Sequence, residues 1–328
     1  MADKDYPKDK YHDPVIIKLR KNPRAEELFH DFLRNRKSIK IFYRVWGLSD
    51  PNLTVQTDYL KRIILNVHGV SSHSEMSITL ADHLLDKSTI VVGFDLPGHG
   101  HSQGTRGDYV RFMGFIETLE DIITYFAEEY PQKQLILSGE SMGALVVILY
   151  ILKIYNHRSE VYKKFTNITK LLFWSPAFAP NFKTGWSKNL EYILKLGLNF
   201  IIKKDSVSID VDHRKTFQNK VALSVHNIHP FVLKKYSARY LTSINIAMKK
   251  LNQYGFSNYL TIPFCIIHGT HDYLVSQSQS YKFYKTSPLS KSKQKKKYIK
   301  VPHAWHHLFT DPFFTDAYWK EIKKWIDR

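Results

Sequence analysis

One stretch of this chain, Leu135–Val147, constrains the fold more than any other. It reads LILSGESMGALVV: an apolar run, then Gly-x-Ser-x-Gly, then a second apolar run. This pattern predicts a buried strand, a sharp turn and a helix, with Ser141 at the corner. Gly139 and Gly143 leave room for a strained backbone at Ser141, which lifts its hydroxyl above the end of the strand. The stretch therefore predicts a nucleophile elbow.

Predicted strands and helices alternate along most of the chain. Strands are predicted at 38–46, 61–67, 89–94, 135–140, 168–174, 262–268 and 297–301, and helices at 75–85, 112–130, 276–285 and up to Ile326. The first strand alternates in polarity, as a half-exposed antiparallel strand does, whereas the strand at 61–67 is a continuous apolar run and the one at 89–94 is predicted to be buried. The alternation predicts an α/β fold whose mostly parallel central sheet is covered by helices on both faces.

The alternation lapses after the strand that ends near Trp174. From there the chain is predicted to form helices joined by loops, notably at 190–202 and 231–251. We expect four segments: an N-terminal extension (1–28), the first part of the core (29–176), an inserted helical cap (177–256) and the second part of the core (257–328). The helix at 190–202 is apolar around most of its circumference, which favours a lid or tunnel wall, or a fully buried cap helix.

The chain is strongly basic, with 48 Lys and Arg against 30 Asp and Glu and a formal net charge of +18. Such a surface favours anionic partners, although a general richness in Lys, Ile, Asn and Tyr also accounts for the charge. The lysine cluster at 291–297 is predicted to form a solvated loop or to contact anionic lipid. No helix-turn-helix, OB or RRM signature accompanies the charge, so a peripheral contact with an anionic membrane is favoured over nucleic acid.

The expected location is cytoplasmic or peripherally membrane-associated. The single cysteine, Cys265, lies in an apolar run and is predicted to belong to the core. One cysteine allows no disulfide within the chain, which fits a reducing compartment. We see neither a signal peptide nor a stretch of about eighteen apolar residues that would span a membrane. The oligomeric state is not indicated.

A serine nucleophile needs a histidine to accept its proton and a carboxylate to orient that histidine. In a parallel sheet all three side chains should follow the carboxyl ends of strands. Asp272 lies just after the strand predicted at 262–268, and the loop at 175–177 carries no acid. Three histidines follow the last strand, His303, His306 and His307, and spacing alone does not choose among them.

Two further expectations concern groups around the nucleophile. An oxyanion hole needs two backbone N–H donors, which position assigns to Met142 and to Val70 in the loop after the strand at 61–67. His268 and His271 are close in sequence, but no Cys/His/Asp cluster with ligand spacing converges on them. We therefore expect no metal and no cofactor.

Three motifs together resemble the monoglyceride lipase and bacterial lysophospholipase branch of the α/β-hydrolases, also described as serine aminopeptidase-like hydrolases. They are His68-Gly69-x-x-x-His73-Ser74, Asp95-x-x-Gly98-His99-Gly100-x-Ser102-x-Gly104 and Gly139-x-Ser141-Met142-Gly143. The similarity covers about residues 30–328, and the insertion falls where this family has its cap. Ala144, where a second glycine is common, and Glu140, where His or Leu is common, depart from the family pattern.

The resemblance implies roles for particular residues. Ala304-Trp305-His306 matches the family's Ala-aromatic-His, which selects His306 as the base. The family likewise implies Asp272 as the acid and Val70 as an oxyanion donor. The expected function is a serine hydrolase that cleaves carboxylic esters of long-chain lipids, either monoacylglycerols or lysophospholipids, through an acyl-enzyme.

Other functions stay open at this point. One is a short-chain esterase, amide hydrolase or acyltransferase of the same fold, and another is a non-catalytic lipid-binding relative. An epoxide hydrolase or dehalogenase is disfavoured because those enzymes carry Asp at the position of Ser141. The residue pattern does not separate a glyceride from a phospholipid headgroup.

Overall fold

An eight-stranded sheet lies at the centre of the computed structural model, which describes residues 28–48, 59–108, 111–157, 167–181, 208–210, 213–253, 260–289 and 295–328. The strands, in chain order, are β1 (Leu28–Arg34), β2 (Lys40–Trp46), β3 (Arg62–Val67), β4 (Thr89–Phe94), β5 (Gln134–Glu140), β6 (Ile168–Trp174), β7 (Ser208–Asp210), β8 (Lys235–Ser237), β9 (Phe264–Gly269) and β10 (Lys296–Val301). The main sheet has the order β1-β2-β4-β3-β5-β6-β9-β10. Only the β1–β2 and β2–β4 pairs are antiparallel, so the predicted mostly parallel sheet is confirmed.

Helices pack on both faces of this sheet. The described helices are α1 (Ile78–Leu84), α2 (Phe112–Glu129), α3 (Met142–His157), α4 (Lys220–Ile228), α5 (Ala238–Gln253), α6 (Gln277–Thr286) and α7 (Asp316–Ile326), of which α4 and α5 belong to the inserted segment. Alternate strand residues enter opposite cores because successive side chains point to opposite faces. Ile63 and Leu65 of β3 pack in the core that includes α2 and α3, and Ile64 packs in the core that includes α1 and α7. Both faces are therefore covered, as the apolar strands predict.

Three details differ from the sequence prediction. β1, which pairs along its length with β2, was not predicted, because Leu28–Arg34 has no clean alternation. The helix predicted at 75–85 begins as a 3₁₀ turn at Ser74–Ser77, where the Ser74 N–H bonds to the Asp95 carboxylate at 2.6 Å. The start predicted for the helix at 231–251 is wrong. Lys235–Ser237 forms a strand that pairs with β7, and the helix begins at Ala238. That pairing is long-range and leaves no periodic signal.

Several sequence predictions fall outside the described residues. They include the N-terminal extension up to residue 27, the apolar cap helix predicted at 190–202 and the lysines up to residue 294. Lys296 and Lys297 are described and begin β10 rather than belonging to a loop. Within the part of the chain that the structure describes, no helix has the length and apolarity needed to cross a membrane.

Strand register brings the predicted catalytic loops together at one edge of the sheet. β3 and β5 are neighbours, but the chain leaves β3 toward β4 on one side and leaves β5 toward β6 on the other. Such a reversal opens a crevice at the carboxyl ends of the two strands. Val67 pairs with Gly139, which places the loop after β3 beside Ser141. On the other side, Gly269 pairs with Val301, which places the loops after β9 and β10 side by side.

Candidate active site

Ser141 occupies the corner between β5 and α3 with a strained backbone. Its φ is +53°, a left-handed conformation that is uncommon for a residue with a side chain. The backbone on either side is fixed, because its N–H donates to the Trp174 carbonyl at 2.9 Å and its carbonyl accepts from the Ala177 N–H at 3.0 Å. A Cβ on Gly143 would overlap the carbonyl oxygen of Val67, so only glycine fits there. The structure thus has a tight strand-to-helix turn at Ser141, and the role of Ser141 as nucleophile stays a prediction.

His306 and Asp272 form a buried pair beside this corner. The Nδ1 of His306 lies 2.7 Å from Oδ2 of Asp272, and both side chains are at most 1% exposed. A carboxylate only accepts hydrogen bonds, so Nδ1 carries the proton and Nε2 is free to act as a base. His306 and the Ser141 hydroxyl share no hydrogen bond in this structure. Such catalytic contacts are often long before substrate binds.

Asp272 accepts four hydrogen bonds through its carboxylate. The backbone N–H groups of Leu274 and Val275 donate to Oδ1 at 2.8 and 3.0 Å, while Oδ2 faces both His306 and the Nε2 of His268, the latter at 3.2 Å. Burial by itself raises the pKa of Asp272, but the charges and hydrogen bonds of His306 and His268 outweigh it and hold that pKa well below its usual range. The carboxylate is therefore ionised at neutral pH.

The other two candidate histidines have different surroundings. His303 is exposed, and its backbone N–H donates to Thr270 Oγ1 at 2.8 Å. His307 stacks on Phe217 with ring centroids 3.8 Å apart, and its Nδ1 lies 3.3 Å from Glu140 Oε1. Of the three, His306 is the one whose ring reaches Asp272.

Glu140 adds a negative charge next to the nucleophile. Its side chain is only 8% exposed. Burial raises the pKa of Glu140, whereas His307, through its hydrogen bond and charge, and the nearby His306 lower it. The lowering effects are larger, so the pKa of Glu140 lies below its ordinary value and the carboxylate is ionised. The pKa of His306 is lowered by burial and raised by Asp272 and then Glu140, with a net shift above its ordinary value of 6.5. Burial lowers the pKa of His307, which keeps that ring neutral.

The loop after β3 runs directly against Ser141. A Cβ built on Gly69 would lie 3.4 Å from the Ser141 Cβ. No hydrogen bond among the described residues uses the N–H of Val70 or of Met142, which is the first residue of α3. An oxyanion hole needs unused N–H donors close to the nucleophile, so Val70 and Met142 stay the candidates for it.

His99 supports this loop and was not singled out by the sequence prediction. Its Nε2 lies 3.0 Å from the Val70 carbonyl oxygen and 3.1 Å from the Tyr240 hydroxyl of α5. Tyr240 also contacts the sulfur of Met142 at 3.4 Å, so that α5 touches Met142 directly and Val70 through His99. Asp95 holds the turn that carries His99, because its Oδ2 accepts from the His101 N–H at 2.8 Å. The motif at 95–104 is a signal that could have identified His99.

A cavity of about 320 Å³ adjoins this centre. Three residues of its lining lie close in sequence to candidate catalytic residues. They are Ser72 near Val70, Glu140 before Ser141 and His307 after His306. The remaining wall comes from α1, α4, the segment before α7 and α7 itself, and it is mostly apolar. A cavity of this size and composition is typical of small-molecule sites.

One group of side chains has the composition of a metal site. Ligand atoms of His73, Glu75 and His229 lie within 4.8 Å of one another. The N–H of Phe231 donates to Nδ1 of His229 at 3.3 Å, which leaves the proton on Nε2, and the Arg44 guanidinium lies 3.8 Å from Glu75. A protonated ring nitrogen and a nearby cation both oppose binding of a metal ion.

Comparison with known proteins identifies a family and several relatives. The family model described as serine aminopeptidase, S33, matches residues 59–313. Rat monoglyceride lipase is 24% identical over 81% of this chain and 82% of its own length, and phospholipase YtpA of Bacillus subtilis is 25% identical over 81% and 95%.

Solved structures agree on the fold. A soluble variant of monoglyceride lipase from Saccharomyces cerevisiae, in complex with a substrate analogue, superposes with a TM-score of 0.73 and 20% identity, covering 90% of this chain and 94% of that one. The sheet order and the helices on both faces are those of an α/β-hydrolase fold, as expected from the sequence. The chain belongs to the serine aminopeptidase, S33, family of α/β-hydrolases.

Proposed function

We propose that this protein is a serine hydrolase that cleaves carboxylic esters of long-chain lipids, with Ser141 as nucleophile, His306 as base and Asp272 as the acid that orients His306. The observation that carries the proposal is the buried contact of 2.7 Å between His306 and Asp272 at the sheet edge where Ser141 stands in a strained corner. The similarity to proteins named monoglyceride lipase and phospholipase supports an ester substrate.

The first half-reaction forms the acyl-enzyme. The Ser141 oxygen attacks the ester carbonyl while Nε2 of His306 accepts the hydroxyl proton. The negative charge that develops on the carbonyl oxygen is held by the N–H groups of Val70 and Met142. The C–O bond to the alcohol then breaks, and the imidazolium of His306 returns the proton to the leaving alkoxide.

The second half-reaction releases the fatty acid. Nε2 of His306 takes a proton from water, and the resulting hydroxide oxygen attacks the acyl carbonyl. The same two N–H groups hold the second tetrahedral intermediate. When it collapses, the bond to Ser141 breaks and His306 reprotonates the serine oxygen, which restores the enzyme. Throughout, the ionised Asp272 stabilises the imidazolium and holds its tautomer.

We further propose that residues 177–256 form a cap over a core made of 29–176 and 257–328. The extension expected at 1–28 then ends at residue 27, because Leu28 begins β1. The contacts of Tyr240 in α5 with His99 and Met142 support the cap, because they place part of the insertion against the candidate oxyanion loop. Within this proposal the cap accommodates the acyl chain. The net charge of +18 supports a peripheral contact with an anionic membrane surface.

The test combines active-site labelling with a matched substrate panel. A fluorophosphonate probe should label the native protein, and peptide mapping should place the label on Ser141. Hydrolysis of a monoacylglycerol and a lysophospholipid with the same acyl chain should exceed that of acetyl or butyryl esters and of aminoacyl arylamides. Repeating the panel on anionic vesicles with and without salt measures the contribution of surface charge.

The outcomes separate the proposal from its alternatives. Peak activity on acetyl or butyryl esters or on arylamides would favour a short-chain esterase or an amide hydrolase of the same fold. Vesicle binding without labelling or turnover would favour a non-catalytic lipid-binding relative. The monoacylglycerol and lysophospholipid rates also identify the preferred headgroup.

The charge of Glu140 gives a pH-dependent prediction. Activity requires neutral His306, so kcat/KM should rise with pH through the pKa of that residue, which lies above its ordinary value. The groups near His306 are the negatively charged Asp272 and Glu140 and the neutral ring of His307. Glu140→Gln keeps an acceptor for His307 but removes one charge that stabilises the imidazolium. The midpoint of the acidic limb should therefore move to lower pH by a fraction of a unit. An unchanged or higher midpoint would contradict this assignment.

A further inference from the structure

A second histidine reaches the same carboxylate oxygen as His306. His268 is the penultimate residue of β9 and is fully buried. Its Nε2 lies 3.2 Å from Oδ2 of Asp272, the atom that accepts from His306 at 2.7 Å. The mechanism above uses His306 alone, so it leaves this buried contact without a role.

His268 is itself held by a chain of polar groups from α6 and β10. Its Nδ1 lies 2.8 Å from Oγ of Ser280, which is fully buried in α6. That oxygen lies 3.0 Å from the Tyr298 hydroxyl of β10, and the amide nitrogen of Gln277 donates to the same hydroxyl at 2.9 Å. His268, Ser280, Tyr298 and Gln277 therefore form a continuous hydrogen-bonded chain that ends at Asp272; we call these four residues the His268 chain.

The chemistry of the donors fixes the direction of the contact with Asp272. An ionised carboxylate has no proton to give, so Nε2 of His268 must carry the hydrogen. The hydroxyl of Ser280 can satisfy Nδ1 in either protonation state, because it rotates between donating and accepting. The Ser280 contact also fixes the plane of the imidazole, and the Nε2–H group therefore points at Asp272 whatever the charge of His268.

We propose that His268 is a positioning residue for the catalytic acid, acting through Oδ2 of Asp272 and braced by the His268 chain. This inference rests on the proposed function, because it assigns a role relative to His306. The two backbone donors fix Oδ1, and the two imidazoles fix Oδ2, so that the carboxylate cannot rotate about its own axis. Loss of His268 removes one of the two imidazole contacts that hold Oδ2. A hydrogen bond to a buried charge contributes substantial free energy, so losing it should displace Asp272 relative to His306.

The test compares a variant that removes the donor with one that keeps it. His268→Leu should lower kcat about 10- to 100-fold, the range expected for a hydrogen bond to a buried charge, while KM changes little. His268→Gln places an amide N–H near the position of Nε2 and should recover part of the loss. In an Asp272→Asn background His268→Leu should cause little further loss, because the acceptor that it orients is already gone.

A neighbouring histidine provides the matched control. His271 lies in the loop that follows β9, is exposed and bonds to Thr270, so His271→Leu should leave kcat unchanged. Folding is monitored by thermal melting, and rates are expressed per folded protein. If His268→Leu does not fold, Ser280→Ala serves instead. It removes the hydrogen bond between Ser280 and Nδ1 of His268 and should lower kcat several-fold.

The outcomes separate this inference from the proposed function. A folded His268→Leu or Ser280→Ala variant with native kcat would overturn the positioning role, as would equal losses in His268→Leu and His268→Gln. A native protein that neither reacts with the fluorophosphonate probe nor hydrolyses any ester would instead refute the proposed function, before any variant is compared.

Discussion

Alanine at Ser141 or at His306 is expected to lower kcat for the preferred ester by about 10⁶-fold, and alanine at both positions to lower it by no more than either alone. The reason is that the two side chains act as one unit. Without the histidine the serine hydroxyl keeps its proton, and without the serine the histidine has no nucleophile to activate. The activity that remains should come from the Val70 and Met142 N–H groups and from substrate binding.

The measurement is steady-state hydrolysis of the best substrate of the panel together with fluorophosphonate labelling. His303→Ala and His307→Ala are the controls, because His303 is exposed and His307 faces Glu140 rather than Asp272. Both should keep labelling and most of the turnover. Labelling that survives in Ser141→Ala would rule out Ser141 as nucleophile. Labelling and turnover that persist in His306→Ala but vanish in either control would move the base to that histidine.

The elbow could be predicted from sequence because its constraint is local. Gly139 and Gly143 flank Ser141 at fixed spacing, and the apolar runs on both sides determine the strand and the helix. In the structure those glycines are required by backbone contacts within the turn and with Val67. A steric requirement of this kind leaves a direct mark on the residue pattern. The buried parallel strands β3, β4 and β9 were predicted for a similar reason, since each is mostly an apolar run.

The choice among His303, His306 and His307 depended on tertiary structure. All three lie within six positions after the end of β10, and the pairing of β10 with β9 decides which ring faces the loop of Asp272. Only the family resemblance distinguished His306 at the level of sequence. Geometry agrees with that choice through the contact of 2.7 Å with Asp272, although the catalytic role itself stays a prediction.

Supporting residues were missed because their partners are distant in sequence. His99 touches the Val70 carbonyl and the Tyr240 hydroxyl, the latter 141 positions away. His268 appeared in the sequence only as a possible metal ligand close to His271, whereas its ring faces Asp272 on one side and Ser280 on the other. An isolated histidine after an apolar run gives no indication of which partner it will meet, so neither role was predictable.

Asn at position 272 is expected to lower kcat by about 10⁴-fold, as loss of the charge from a catalytic triad does elsewhere. The hydrogen bonds around the native carboxylate determine how the amide must sit. Its oxygen has to take the place of Oδ1, where Leu274 and Val275 donate, since an NH₂ group there would face two N–H donors. The amide nitrogen is thereby forced into the position of Oδ2, opposite His306 and His268.

In that position Asp272→Asn reverses the tautomer of the base. The amide N–H groups require an acceptor, so Nδ1 of His306 must give up its proton, and Nε2 then carries the hydrogen. A protonated Nε2 cannot accept the proton of Ser141, and the imidazolium would in any case lack its counterion. The loss should appear in kcat, with KM nearly unchanged, while thermal melting shows a folded protein.

The exposed Asp31 of β1, at the far edge of the sheet, gives the matched control, and Asp31→Asn should keep native kcat. If Asp272→Asn remains within tenfold of native kcat, Asp272 is not the acid that orients His306. Comparing Asp272→Asn with Asp272→Ala also tests the forced orientation of the amide, because alanine removes the carboxylate without supplying an amide donor. His306 can then keep its proton on Nδ1 in a fraction of molecules, so Asp272→Ala should retain at least as much activity as Asp272→Asn.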